Sequence, residues 1–345
     1  MKLVVYGPER RVGALAGDQL VDVNRAYAKY LAEKRGEPRP VAMANAVVLA
    51  DLGALIESGP RALEGAQEAL DYLANEAQDE EGIRGALMVR PANSVRFHAP
   101  LPSPGSRIAC GGANYAKHSA GIRRGMTGQD TTEQEVYETA RREGLWGFWK
   151  VNHGLLGPED ALAYPRRTER LDYEGEVAVV LGKTGKNLTQ AQAREAIWGV
   201  TLFVDWSIRD LGGPPRGLSF NLAKNFDGST ALGPCIVVGE VDPQNLDVET
   251  RLSGEVRQRY NTQEMIYSFV EILEYLSRDF TFLPGDVVSG GTGAGTALDS
   301  SARGADGKLP PDRFVKPGDV LEVTSPPVGT LRIRVTESSD APVSS

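Results

Sequence analysis

From Ile108 onward the chain is dominated by strand-like runs that do not alternate with helices. EVAVVLG, GVTLFVDWSI, GPCIVVGE, DVVSGG, DVLEVTS and TLRIRV are rich in β-branched residues. Two helical patterns interrupt them. One is TQAQAREAIW, with Thr189 as its N-cap. The other is MIYSFVEILEYLSRDF, with Ile266, Phe269, Val270 and Leu273 on one face. A doubly wound parallel sheet needs a helix between successive strands, so this pattern excludes it. It predicts an α+β domain built on a mixed sheet. Residues 1–95 predict a small α+β accessory domain, and residues 96–345 the larger one. In the first, KLVVYG, RRVGALAG and QLVDVN read as strands, and Ala42–Ile56 and Arg61–Ala77 as helices. The Pro- and Ser-rich VRFHAPLPSPGSR marks the crossing between them.

Acidic residues (46) exceed basic ones (38), for a net charge of −8. Broad capture of nucleic acid or anionic lipid is not expected from that balance. Two cysteines, Cys110 and Cys235, exclude a disulfide framework, and no paired Cys spacing suits structural zinc. No apolar run reaches membrane-spanning length, and MKLVVYGPERR lacks the apolar core of a signal peptide. The expected compartment is the cytoplasm. Two segments read as lids or rims: Gly121–Gly147, polar and helix-compatible, and Leu298–Arg313, rich in Ser, Gly, Pro and Asp. The tail SSDAPVSS is expected to be disordered.

The sharpest chemical feature is Glu174-Gly175-Glu176 at the start of VAVVLG. A strand's period of two puts both glutamates on one face, where like charges repel and need an offset. Asp205 lies inside the next charged run, FVDWSIRD. Three carboxylates on neighbouring strands suit a hard divalent cation. The competing reading leaves both glutamates in solvent and pairs Asp205 with Arg209. Lys224 in LAKNFDGST and Lys150 in GFWKV are candidate anion clamps or ordinary surface lysines. His118 in GGANYAKHSAG is a candidate general base, while His98 and His153 read as structural. SGGTGAGT lacks the full G-x-G-x-x-G spacing. It reads as a Gly-rich turn that presents the Thr292 hydroxyl and backbone N–H groups to an anion.

Taken in order, the blocks NYAKH, FWKVNHGLLGPEDAL, LDYEGEVAVVLGK, VTLFVDWSIRDL, LAKNFDGSTALGPCIV, VRQRYNTQEMIYSFVEILEYLS, FLPGDVVSGGTGAGT and FVKPGDVLEVTSPPVGTLR resemble the fumarylacetoacetate hydrolase family. The likeness covers roughly residues 95 to 337. It implies a mixed β-sandwich roll, normally a homodimer. It also implies metal ligands at Glu174, Glu176 and Asp205, and a general-base histidine at His118. Lys224 falls on the family's substrate-binding lysine, Lys150 on a second lysine and Thr292 on the active-site threonine. Arg209, on the strand that carries Asp205, is counted with the substrate-binding residues. Two positions depart from the family pattern. Gly121 stands where many hydrolytic and decarboxylating members carry a Glu that orients the histidine, and Gly293 stands where Pro is usual. Glu133, Glu135 or Glu138 are candidates to supply the missing acid.

The reaction implied is metal-dependent hydrolysis of a carbon–carbon bond in an acylpyruvate or related β-diketo acid. Mg²⁺, Mn²⁺ or Ca²⁺ would chelate the 2-oxo acid, and His118 would activate water. The leaving pyruvate enolate would be stabilised by the metal as a Lewis acid. The alternative keeps the site and changes the outcome to isomerisation, decarboxylation or dehydration, as the Gly121 departure suggests. A third reading is a metal-binding but catalytically idle subunit.

Overall fold

The strand Gly175–Leu181 is buried along its whole length, and both of its faces are covered. Val177, Val179 and Leu181 point into one apolar core, and Ala178 and Val180 into a second. That is the two-sided burial expected of a near-continuous VAVVL run. Its neighbours are Ile197–Asp205 and Val287–Thr292, both antiparallel to it. The computed structural model describes residues 1–339 apart from 78–79, 102, 212–217, 240, 303 and 305–308. The final residues of the SSDAPVSS tail, 340–345, therefore lie outside the described residues, as does part of Leu298–Arg313.

Among the described residues the central sheet has eleven strands. Ten of them run from Val89–Pro91 through Gln19–Asp22, Arg11–Ala16, Lys2–Tyr6, Thr230–Val238, Ile197–Asp205, Gly175–Leu181, Val287–Thr292 and Ile108–Gly111 to Gly147–Lys150, and the eleventh, Phe97–His98, pairs with Lys2–Tyr6 off this path. Most pairs are antiparallel, but Val287–Thr292 and Ile108–Gly111 run parallel. A five-stranded sheet, from Glu255–Asn261 to Ala161–Ala163, packs across one face. Its Val248, Leu321, Val323 and Ile333 share the first core with Val177, Val179 and Val204. The chain is thus α+β, with a mixed-sheet sandwich.

Residues 1–95 share both a sheet and a core with the rest. Lys2 pairs with Val237 and Leu3 with Ile236. The second core joins Leu3, Val5, Leu31 and Leu55 to Val180, Phe203, Ile236 and Val287. The N-terminal helices are therefore the cover of the sheet's second face.

Local differences from the sequence expectation trace to capping. QLVDVN does not continue as a strand, because the Asp22 side chain accepts from the Arg25 amide and starts the helix Val23–Arg35. The Ala42–Ile56 pattern is split into Pro40–Val47 and Leu52–Glu57, the second capped by Asp51. MIYSFVEILEYLSRDF becomes helical only after Ser268, the cap of Phe269–Leu276. Thr189 caps Gln190–Ala196 as expected, with Gln192 completing a capping box. The Gly121–Gly147 segment holds the end of Ala116–Thr127 and the whole of Glu133–Glu143. Among the described residues no helix is long and apolar enough to cross a membrane.

Candidate active site

Three strand ends bring the acids together. Gly175 pairs with Val204, so Glu174 lies opposite Asp205, and the Asp205 amide donates to the Glu174 carbonyl at 3.0 Å. Glu176 sits two residues further along, facing Thr292 at the end of Val287–Thr292. Glu174, Glu176 and Asp205 are all buried, and one carboxylate oxygen of each lies within 4.8 Å of the others. The reading that left the glutamates in solvent and paired Asp205 with Arg209 does not describe this cluster.

Cations and donors surround it. Lys224, the last residue of Leu218–Lys224, donates to Glu174 Oε2 at 2.5 Å, Asp205 Oδ2 at 2.7 Å and Ser207 Oγ at 2.6 Å. Arg209 donates to Asp172 Oδ2 at 3.0 Å and forms a second bond to Glu174 Oε1. Lys150 lies behind the cluster. It donates to Asp205 Oδ1 at 2.6 Å and reaches the Ser229 carbonyl at 2.9 Å and the Lys224 carbonyl. Its place is against the backbone, where it fixes Asp205, and it does not line the adjoining cavity.

The charges are unevenly shared. Burial pushes Glu176 up, and the charges of Asp205 and Glu174 push it further, well above the usual carboxylate range. Burial also works against Glu174, yet Lys224 and Arg209, joined by His118 when it is protonated, more than offset it and hold its carboxyl well below that range. Burial opposes the charge of Lys224, but Asp205 and Glu174 outweigh it and raise its pKa. Counting Asp172, four buried acids face two buried lysines, Lys150 and Lys224, and the partly buried Arg209. An all-oxygen set of three converging carboxylates with an excess of negative charge fits a hard divalent cation.

His118 stands in the first turn of Ala116–Thr127. Its Nδ1 lies 2.6 Å from Asp299 Oδ2, and its Nε2 is 4.0 Å from Glu174 Oε1. Asp299 also accepts from the Gly295 amide, at 3.1 Å and 3.0 Å, and from Ser300 Oγ at 2.9 Å. A carboxylate with this many donors is the acceptor, so Nδ1 carries the proton and Nε2 keeps a lone pair on the cavity side.

Asp299 was not singled out from the sequence, because it lies in a stretch with no periodicity. None of the three glutamates proposed for its role performs it. Glu135 closes the capping box with Thr132, Glu138 accepts from Gln134, and Glu133 opens Glu133–Glu143 beyond the cluster. The reason Asp299 fits is steric. A Cβ at Gly121 would lie 2.8 Å from the Asp299 carbonyl oxygen and 2.9 Å from its Cβ. One turn on, a Cβ at Gly125 would lie 2.7 Å from the Ser301 carbonyl oxygen. The glycine face of the helix is where the 298–301 turn docks.

Thr292 Oγ1 donates to the Gly175 carbonyl at 2.9 Å and accepts from Gln258 Nε2 at 2.7 Å. Gln258 Oε1 in turn accepts from the Gly175 amide at 3.0 Å. Gln258, also missed from the sequence, ties the second sheet to the backbone between the two glutamates. A cavity of about 350 Å³ opens above the acids. His118, Glu174, Glu176, Asp205, Arg209, Lys224 and Thr292 all line it.

Residues 107–336 match the family model for the fumarylacetoacetate (FAA) hydrolase C-terminal region. The chain belongs to the fumarylacetoacetate hydrolase family. It is 32% identical over 284 residues to oxaloacetate tautomerase YisK of Bacillus subtilis, covering 81% of this chain and 85% of that one. It is 31% identical over 251 residues to human mitochondrial oxaloacetate tautomerase FAHD2A, covering 72% of each. Among solved structures, fumarylacetoacetate hydrolase from Exiguobacterium antarcticum matches 98% of this chain and 99% of its own, with a TM-score of 0.68 and 27% identity.

Proposed function

We propose that this protein is a divalent-metal-dependent enzyme that interconverts the keto and enol forms of a 2-oxo acid. The observation that carries the reading is the His118 ring, held by Asp299 at Nδ1 with its Nε2 beside three converging carboxylates. The two oxaloacetate tautomerases named above point to the same class of reaction. Glu174, Glu176 and Asp205 would hold Mg²⁺ or Mn²⁺, which when bound supplies a Lewis acid for the oxo group of the substrate. Lys224 and Arg209 border the same space and would offset the charge of the substrate's carboxylate, with Thr292 beside them.

His118 Nε2 takes a proton from the carbon next to the oxo group. The C–H electron pair becomes the new C=C bond, and the carbonyl pair moves onto oxygen. The proton that His118 has taken, passed on to that oxygen, completes the enol and restores the base, so mass is unchanged and no water is consumed. Asp299 holds the imidazole in the tautomer that can accept, and stabilises it once it is protonated. Lys150 acts on the chemistry only by fixing Asp205. The family assembly, a homodimer, and a cytoplasmic location are carried over as part of this proposal.

A second reading, hydrolysis of an acylpyruvate, is favoured by the near full-length match to the Exiguobacterium hydrolase. It uses the same dyad to take a proton from water. Product analysis separates the two: a mass-neutral spectral change marks tautomerisation, and two acid fragments mark hydrolysis. Glu176→Ala should lower the metal-dependent rate by about a thousandfold or more, read spectrophotometrically. Full activity of that variant, or of the wild type in excess chelator, overturns both readings.

A further inference from the structure

We infer that the substrate carries an apolar group, aromatic or branched alkyl, at the end away from its 2-oxo acid head, and not a second carboxylate. The inference rests on the 2-oxo acid reading above and adds the part of the substrate that reading leaves open. Its basis is a wall of three rings that runs from the charged floor to the cavity mouth.

The wall begins at the floor, where the Phe148 ring centroid lies 5.1 Å from Lys224 Nζ. Phe148 meets Phe220 edge-on at 5.2 Å, and Phe220 meets Trp146 at 5.9 Å. Trp146 is 48% exposed although it lies over the cavity. Its indole is not loosely placed. The Gly112 amide donates to the Trp146 carbonyl at 3.0 Å, and a Cβ at Gly112 would come within 2.6 Å of the ring. Ile122, Leu298 and Leu309 add further apolar lining to the same cavity. A ligand whose head sits at Lys224 and at the cation that the three acids would hold lays its other end among these apolar side chains. An exposed tryptophan on a fixed backbone gains most from an apolar partner, and aromatic partners add ring–ring contacts.

Among the described residues a second carboxylate finds no counterpart there. Among the described residues lining the cavity, the lysine and arginine side chains are Lys224 and Arg209, and both already engage Glu174 on the floor. The Asn114 amide donates to the Tyr267 and Gly290 carbonyls, and Thr292 to that of Gly175. Desolvating a carboxylate against three rings without a cation is costly. The cavity's size is also in the range of sites that enclose ligands larger than a four-carbon diacid.

The test uses the full chain loaded with Mg²⁺ and three probes: phenylpyruvate, 4-methyl-2-oxopentanoate and oxaloacetate. The expected result is a kcat/KM for keto–enol conversion at least about tenfold higher for the first two than for oxaloacetate. Phe220→Ala should raise KM for phenylpyruvate more than for oxaloacetate, and Phe220→Lys should turn the preference toward oxaloacetate. Equal or better turnover of oxaloacetate by the wild type overturns the inference while leaving the 2-oxo acid reading in place. Failure of all three probes both to react and to bind the Mg²⁺-loaded protein in calorimetry sinks the 2-oxo acid reading, and the inference with it.

Discussion

The floor and the mouth of the cavity are built by different rules. On the floor, Glu174, Glu176 and Asp205 hang from adjacent antiparallel strands, and every one of them has a hydrogen-bond partner in the surrounding scaffold. The mouth is assembled from pieces attached to the sheet: the helix carrying His118, the edge strand Gly147–Lys150, Phe220, and the turn that follows Thr292. Strand register fixes the floor, so its charges cannot drift without unpairing the central sheet. The mouth is held by side-chain contacts and close backbone approaches. Charge handling is thus a property of the sheet. Substrate identity and the path of the proton belong to what the sheet carries at its ends. The His118–Asp299 pair sits on the seam, with one member facing the acids and the other rooted in the outer turn.

The strongest way to break that division is Asp299→Asn. An amide can turn its NH₂ toward Nδ1, which moves the imidazole proton to Nε2 and removes the lone pair from the cavity. We expect kcat to fall by about a hundredfold to ten-thousandfold. Metal affinity, set by the floor, should stay as in the wild type. ¹⁵N spectra of histidine-labelled protein should report the changed tautomer at His118. A variant with normal kcat would detach Asp299 from the chemistry. One that also lost metal would show that floor and mouth are not separable.

The floor was largely legible in the sequence, because its residues are short-range and periodic. Glu174 and Glu176 are two apart in a strand, and Asp205 opens onto the same end of the next one. The strand content and the capped helix after Thr189 followed from local pattern as well. What escaped is long-range. Asp299 reaches His118 across 181 residues, and Gln258 reaches Thr292 across 34, with nothing in either neighbourhood to mark them. Gly121 did signal that something was displaced, but a missing side chain does not say what fills its space. Residues 1–95 read as separate because their pattern is locally complete. The pairing of Lys2 with Val237 is a contact no local pattern can predict. Lys150, read as a clamp for substrate, is drawn inward because its four-carbon stem reaches the carbonyls behind Asp205.

A smaller effect sharpens the seam from the helix side. Gly121→Ala places a methyl group against the Asp299 backbone, which has no flexible end to move away. It should cost about 1–3 kcal/mol of stability by overpacking. By shifting Asp299 it should also lower kcat by about tenfold. Gly125→Ala makes a similar clash with Ser301, two residues from Asp299, and should lose comparable stability with a smaller loss of kcat. Thermal melts and steady-state kinetics on both variants decide it. Equal kcat losses would mean that the turn moves as one body and that Asp299 has no special sensitivity.

The most gradual expected effect belongs to the floor alone. Burial, Asp205 and Glu174 hold the Glu176 carboxyl well above the usual carboxylate range, so it keeps its proton to a higher pH than an exposed glutamate would. A metal can bind only to the deprotonated oxygen, so the proton and the ion compete. The sign follows. As pH falls through the raised pKa, Glu176 takes up its proton, and metal affinity should weaken well before ordinary carboxylates near pH 4.5 begin to titrate. Calorimetric titrations with Mn²⁺ at successively lower pH should show this, together with proton release on binding. Glu176→Gln should bind weakly and with little pH dependence over the same interval. If affinity in the wild type stays flat until ordinary carboxylates begin to titrate, Glu176 is already ionised in the free protein, and Lys224 then offsets its charge more fully than the cluster's geometry implies.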